Sequence, residues 1–60
     1  MKRICIRGID NREYYCDYNT TLVSLLDMEI SGMLGYIQEI ETDKGIILSI
    51  DVLGYDVESD

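Results

Sequence analysis

The chain has no histidine, so it lacks both the most frequent general base near neutral pH and the most frequent neutral metal ligand. Its four serines, at positions 24, 31, 49 and 59, therefore have no imidazole to activate them as nucleophiles. The five glycines never group into a phosphate-cradling loop. Two cysteines are too few to form a zinc centre, and no EF-hand-like spacing of oxygen ligands is present. Carboxylate pairs such as Glu39 with Glu41 do occur. A paired-acid hydrolase, however, holds its acids in a concave, partly apolar pocket, and 60 residues leave little room for one. Taken together, these absences point away from an enzyme, and no cofactor or metal is expected.

Long apolar runs are missing too. No stretch reaches the about 18 apolar residues that a membrane-spanning helix requires. The basic start Met1-Lys2-Arg3 is not followed by the continuous apolar run of about 7–15 residues found in a secretory signal. The expectation is a cytoplasmic protein with no membrane partner. The length fits one small domain, residues 1–60. A chain of this size buries only about 60% of the surface its unfolded form exposes. Self-association is a common remedy, so a homodimer is one possible state. An apolar content of 47% fits a folded domain.

Basic residues are scarce and unevenly placed. Twelve acids face five bases, for a net charge of −7. Residues 1–12 hold Lys2, Arg3, Arg7 and Arg12 against Asp10, a balance of +3, whereas residues 13–60 hold eleven acids against Lys44, a balance of −10. Direct nucleic-acid binding needs the opposite sign, because its affinity comes from cations neutralising phosphates. The long acidic segment repels a phosphate backbone and attracts a basic surface; it also serves to keep a small protein soluble.

Residues 2–9 are short and rich in β-branched side chains, and residues 12–18 read as a returning strand. Asp10-Asn11 between them is a pair suited to a tight turn. With a two-residue turn, Cys5 falls directly opposite Cys16, with Cα atoms about 5.5 Å apart and within reach of a disulfide. The alternative is a pair of reduced thiols packed as small hydrophobes, which a cytoplasmic redox poise favours. Asn19-Thr20-Thr21 supplies helix-capping side chains. Leu22, Leu25, Leu26, Ile30 and Met33 then recur at helical spacing, which predicts a helix over 20–31 ended by Gly32.

Residues 34–42 and 46–53 are strand-like, joined by a turn at Thr42-Asp43-Lys44-Gly45. In the second of these, Ile46, Leu48, Ile50 and Val52 form an apolar face, opposite a mixed one of Ile47, Ser49, Asp51 and Leu53. Gly54 breaks the strand, and the acidic residues 55–60 are expected to fray. The fold class expected is α+β: a small single-layer antiparallel sheet with one helix, in β-β-α-β-β order. Two rivals remain. A longer helix could run on to Thr42, although Gly32 and Gly35 each cost up to about 1 kcal/mol inside a helix. An all-β Sm-like or SH3-like small barrel could instead use residues 25–50 as strands.

Five tyrosines are the only aromatics. In Tyr14-Tyr15 neighbouring side chains point to opposite faces of a strand, so one of them reaches solvent unless both faces are covered. Tyrosine is enriched at binding hot spots, and it is also an ordinary cross-strand packing residue.

Two families share features with the first half. Met1 to Asp27, with Thr21-Leu22-Val23-Ser24-Leu25-Leu26 opening the helix, resembles the hairpin–helix start of ubiquitin-like β-grasp proteins. The Gly-Gly end of the sulfur-carrier members is absent, since this sequence closes on Glu58-Ser59-Asp60. Glu13-Tyr14-Tyr15-Cys16-Asp17-Tyr18 followed by Leu22 to Ile30 also resembles the small acidic phage inhibitors of uracil-DNA glycosylase, although the apparent second C-terminal strand departs from them. That resemblance implies a protein that imitates the charge of DNA and occupies an enzyme's DNA-binding groove, in the physical class of anti-restriction and anti-CRISPR proteins. The leading expectation is accordingly a non-enzymatic inhibitor or regulator. Carboxylates at Glu13, Asp17, Asp27, Glu29, Glu39, Glu41 and Asp43, with Tyr14, Tyr15 and Tyr18 as anchors, would meet a basic surface on a nucleic-acid-handling protein. The alternatives are a self-associating assembly module and a small β-barrel adaptor.

Overall fold

A computed structural model describes residues 1–59; Asp60 lies outside the described residues. The chain runs β1 (Lys2–Gly8), β2 (Glu13–Asp17), α1 (Thr20–Ile30), β3 (Glu39–Thr42), β4 (Gly45–Leu48), a 3-10 turn (Ser49–Asp51) and β5 (Val52–Ser59). It is an α+β arrangement, with one helix between two hairpins and a fifth strand after them. The strands form two antiparallel sheets, one three-stranded in the order β2-β1-β5 and one the β3-β4 hairpin.

The helix of 11 residues excludes the all-β barrel, and with it the barrel adaptor. Asn19 caps it: the side-chain oxygen accepts from the backbone N–H groups of Thr21 (2.8 Å) and Leu22 (3.3 Å). Gly32, at φ +75°, ends it. There the N–H of Met33 donates to Met28 O (2.7 Å) and that of Gly32 to Glu29 O (3.1 Å), the paired bonds of a Schellman motif. The longer helix to Thr42 is thereby excluded. The strand expected over 34–42 is regular only from Glu39.

The core draws on nearly every element: Ile4 and Ile6 from β1, Leu26 from α1, Ile40 from β3, Ile47 from β4 and Val52 from β5. Tyr14, Cys16, Leu22, Val23, Leu25 and Tyr55 pack around them. The distal end of the helical stripe is left uncovered, with Ile30 and Met33 exposed.

Three expectations are corrected. The first hairpin turns through three residues, Ile9-Asp10-Asn11, with Asn11 at φ +65°. The Gly8 N–H donates to Arg12 O and the Asn11 N–H to Gly8 O, both at 3.0 Å. The extra residue slips the register by one, so Cys5 pairs with Tyr15, and Cys16 with Ile4. The two cysteines therefore lie on opposite faces of the sheet, and both are free.

The second correction concerns residues 46–53, which are not one strand. Ile47 and Ser49 point inward and Ile46 is 61% exposed, the reverse of the expected faces. The fully buried Ser49 pairs with Gln38: its Oγ accepts from the Gln38 N–H (2.9 Å), and its own N–H donates to Gln38 O (2.8 Å). The three-residue 3-10 turn then shifts the alternation by an odd number, which returns Val52 to the core. Third, residues 55–59 are not a frayed tail. They complete β5 and pair with β1 along its length, from Tyr55 opposite Ile6 to Ser59 opposite Lys2.

Candidate functional site

Direct cross-strand partners share a face of a sheet. The registers of β1 with β2 and β5 therefore place Arg3, Cys5, Arg7, Glu13, Tyr15, Asp17, Asp56 and Glu58 together on the face turned away from the core. Four carboxylates thus share this surface with two arginines. The Arg3 guanidinium lies 4.2 Å from the centre of the Tyr15 ring, and its Nε meets Glu58 Oε1 at 3.0 Å. The Cys5 thiol donates to Glu13 Oε2 at 3.5 Å. Burial, and then that bond to Glu13, push the thiol above its ordinary range.

At the far edge of β2 the two sheets meet. The Asp43 N–H donates to Tyr15 O (2.9 Å), and the Asp43 carboxylate accepts from the Tyr15 N–H (2.9 Å). The turn tip thus pairs both backbone groups of Tyr15. Lys44 reinforces the junction, its Nζ donating to Glu13 O at 2.5 Å. The Thr42 hydroxyl donates to Gly45 O (2.6 Å) and accepts from the Lys44 N–H (3.2 Å), shaping the turn, with Gly45 at φ +103°. Beside this junction an open groove is lined by Tyr15, Cys16, Asp17, Glu41, Thr42 and Asp43. Burial first, then the charges of Asp17 and Asp43, push the Cys16 thiol up. A second groove, between the start of α1 and β3, carries Glu39 and Glu41 on one wall. Asp17, Glu41 and Asp43 thus border the seam between the sheets, Glu39 and Glu41 border the adjoining groove beside α1, and all four are exposed.

The other expected residues are more scattered. Glu13 and Tyr15 border the junction through their backbones and point their side chains onto the outer sheet face. Tyr14 turns inward against the core and donates its hydroxyl to Asp10 Oδ2 at 2.7 Å. That bond first, then the Arg12 N–H on the same carboxylate, holds Asp10 below its usual range. Tyr18 carries the Lys2 ammonium 5.1 Å from its ring centre. Asp27, on the helix, accepts from the Tyr55 hydroxyl and so raises the Tyr55 pKa. Glu29 is half-buried on α1, away from the seam. Asp56 and Glu58 join the outer sheet face from β5, a segment expected from the sequence to fray. Their alternation, with Tyr55, Val57 and Ser59 between Gly54, Asp56 and Glu58, was the available signal of a strand.

Much of the chain's own positive charge is engaged locally. Arg3, Lys2 and Lys44 lie over the tyrosines of the first hairpin, and Arg12 sits 4.0 Å from Asp10. Among the described residues, ion pairs reach only Glu58, Asp10 and Asp43; Asp17, which stands across from Arg3, and Glu39 and Glu41 are exposed and form none. No group of three metal-ligating side chains occurs among the described residues, and none of their helices is long and apolar enough to cross a membrane. No protein-family model matches the chain, and no curated protein or solved structure matches it either.

Proposed function

We propose that this protein is a small non-enzymatic inhibitor or regulator whose acidic surface occupies a basic groove on a nucleic-acid-handling protein, in the manner of a DNA mimic. The observation that carries the reading is the seam. Asp17, from the end of β2, meets Glu41 and Asp43 of the second hairpin at the junction of the two sheets, Glu39 lines the adjoining groove between α1 and β3, and Lys44, 4.0 Å from Asp43, is the one cation paired there among the described residues. Several carboxylates gathered on one surface present the charge that a phosphate-binding groove attracts. Single exposed ion pairs are worth about 0–1 kcal/mol, so affinity requires several acting together with an apolar anchor. The likeness of Glu13 to Tyr18 and Leu22 to Ile30 to the glycosylase inhibitors agrees with this reading.

The test is capture of nucleic-acid-handling proteins on the immobilised domain, with elution by salt and by duplex DNA. Binding should fall steeply with ionic strength, compete with DNA and be lost in the Asp17→Asn, Glu39→Gln, Glu41→Gln triple variant. That variant leaves Asp43 in place because Asp43 holds Tyr15. Capture indifferent to salt and to the triple substitution would sink the proposal. A second reading, self-association, rests on the exposed apolar residues Met33, Tyr36 and Ile37 after the helix. Sedimentation at high concentration tests it, and a strictly monomeric species removes it.

A further inference from the structure

We propose that the free edge of β5 takes up an extended basic segment of the partner as a fourth strand, alongside Asp56 and Val57. The inference rests on the acidic-surface reading above and names the kind of segment that surface receives. In the order β2-β1-β5, both outer strands could expose unpaired backbone groups. The β2 edge is closed at Tyr15 by Asp43, which pairs both its N–H and its C=O. No strand lies on the outer side of β5 among the described residues. β5 is also the longest strand, at 8 residues, and every second residue turns its N–H and C=O away from β1. Leu53, Asp56, Val57 and Ser59 are exposed along it.

Natural edge strands are commonly blunted by lysine, proline or a covering element. β5 has neither lysine nor proline, and its one irregularity, a register shift against β1 between Arg7 and Gly8, lies at its start, so the regular edge runs from Gly54 to Ser59. Its outward charges are Asp56 and Glu58, and while Glu58 is held by Arg3, Asp56 has no ion pair among the described residues. Asp56 stands opposite Cys5, beside an open groove lined by Glu13, Arg7 and Leu53. These charges select the occupant. Antiparallel pairing of two β5 strands would bring the Asp56 and Glu58 side chains of two chains together, each chain carrying a net charge of −7. A strand with lysine or arginine at alternate positions sets its cations beside those carboxylates instead, and its intervening apolar residues cover Val57, which is 44% exposed. The edge thus repels a second copy and admits a basic strand.

The probe is a blocked, fluorescently labelled eight-residue peptide alternating lysine and valine. Binding is followed by anisotropy, and the site is read from backbone amide hydrogen exchange of the intact protein. The expected result is slowed exchange at alternate residues of β5. Asp56→Asn should weaken binding about two- to fivefold, as for one exposed ion pair. A peptide N-methylated at its valine amides, which face β5 when the valines cover Val57, keeps its charge but loses those donors and should bind about tenfold more weakly than one N-methylated at its lysine amides. If the peptide binds while β5 amides exchange unchanged and the Asp17–Glu41 seam responds, the strand-addition proposal is overturned and the acidic-surface reading survives. Equal binding by the two N-methylated peptides has the same meaning. If neither the peptide nor any basic protein binds at low salt, both fall.

Discussion

Replacing Ser49 by alanine isolates one buried hydrogen bond. Ser49 is fully buried, and its Oγ accepts from the Gln38 N–H at 2.9 Å where the β3-β4 ladder gives way to the 3-10 turn. Alanine removes the acceptor and leaves that N–H facing a methyl group. A buried donor left without a partner costs about 1–3 kcal/mol. For a chain of 60 residues, total stability at the usual value per residue is about 3–9 kcal/mol, so the change removes a large share of it. With a melting shift of about 4–8 °C per kcal/mol in so small a domain, a loss of about 2 kcal/mol lowers Tm by about 8–16 °C. Urea unfolding followed by circular dichroism should show a lower midpoint with an unchanged slope. Ser24→Ala, on the exposed side of α1, is the control and should stay within about 0.5 kcal/mol of wild type. If Ser49→Ala unfolds like the control, the Gln38 N–H has found water and the burial argument fails.

The inverted faces of β4 make a paired prediction. Ile47→Ala should cost about 2–5 kcal/mol, whereas Ile46→Thr should change stability by less than about 0.5 kcal/mol; equal effects at the two positions would refute the inversion. For the Tyr14–Asp10 bond the sign follows from Asp10 lying below its ordinary 3.8. Its contribution is present at neutral pH and disappears as pH falls below 3.8 toward the folded value. The stability gap between wild type and Tyr14→Phe should therefore narrow in acid, and a gap that is constant with pH would contradict the bond. Cys5 and Cys16 are free and both are raised, so a thiol reagent at neutral pH should label the native protein slowly and find two thiols per chain in denaturant. The same shifts imply that stability falls as pH rises above 9.0, where the unfolded chain releases these protons first.

The elements legible in the sequence were those governed by near neighbours. Asn19 before a Leu22-Leu25-Leu26 stripe, with Gly32 behind it, contains both caps and the buried face of α1. Asp43-Lys44-Gly45 likewise announces its turn. What escaped depended on counting through a turn or on contacts between segments. Asp10-Asn11 looks like a two-residue turn, yet Ile9 joins it, and the register moves by one. Ile46 and Ile47 are chemically alike, so which of them points inward is decided by Ser49 and Gln38, whose partnership no local pattern reveals. The seam was visible only as a list of acids. That Asp17 lies beside Glu41 and Asp43, while Asp27 turns to Tyr55, depends on how the two hairpins dock.

The three-residue bend at Ile9-Asp10-Asn11 has a consequence for how this protein tolerates change. Surface bends are usually where chains gain and lose residues most freely. Here the bend acts as a parity counter. Removing or adding one residue would turn the Glu13, Tyr15 and Asp17 side toward the core and send Tyr14 and Cys16 to solvent, leaving the charged outer face without its β2 column. Its composition is therefore open to substitution wherever Asn11's backbone angle can be met, while its length is not. Among related chains the spacing from Gly8 to Glu13 should be held more tightly than the letters within it.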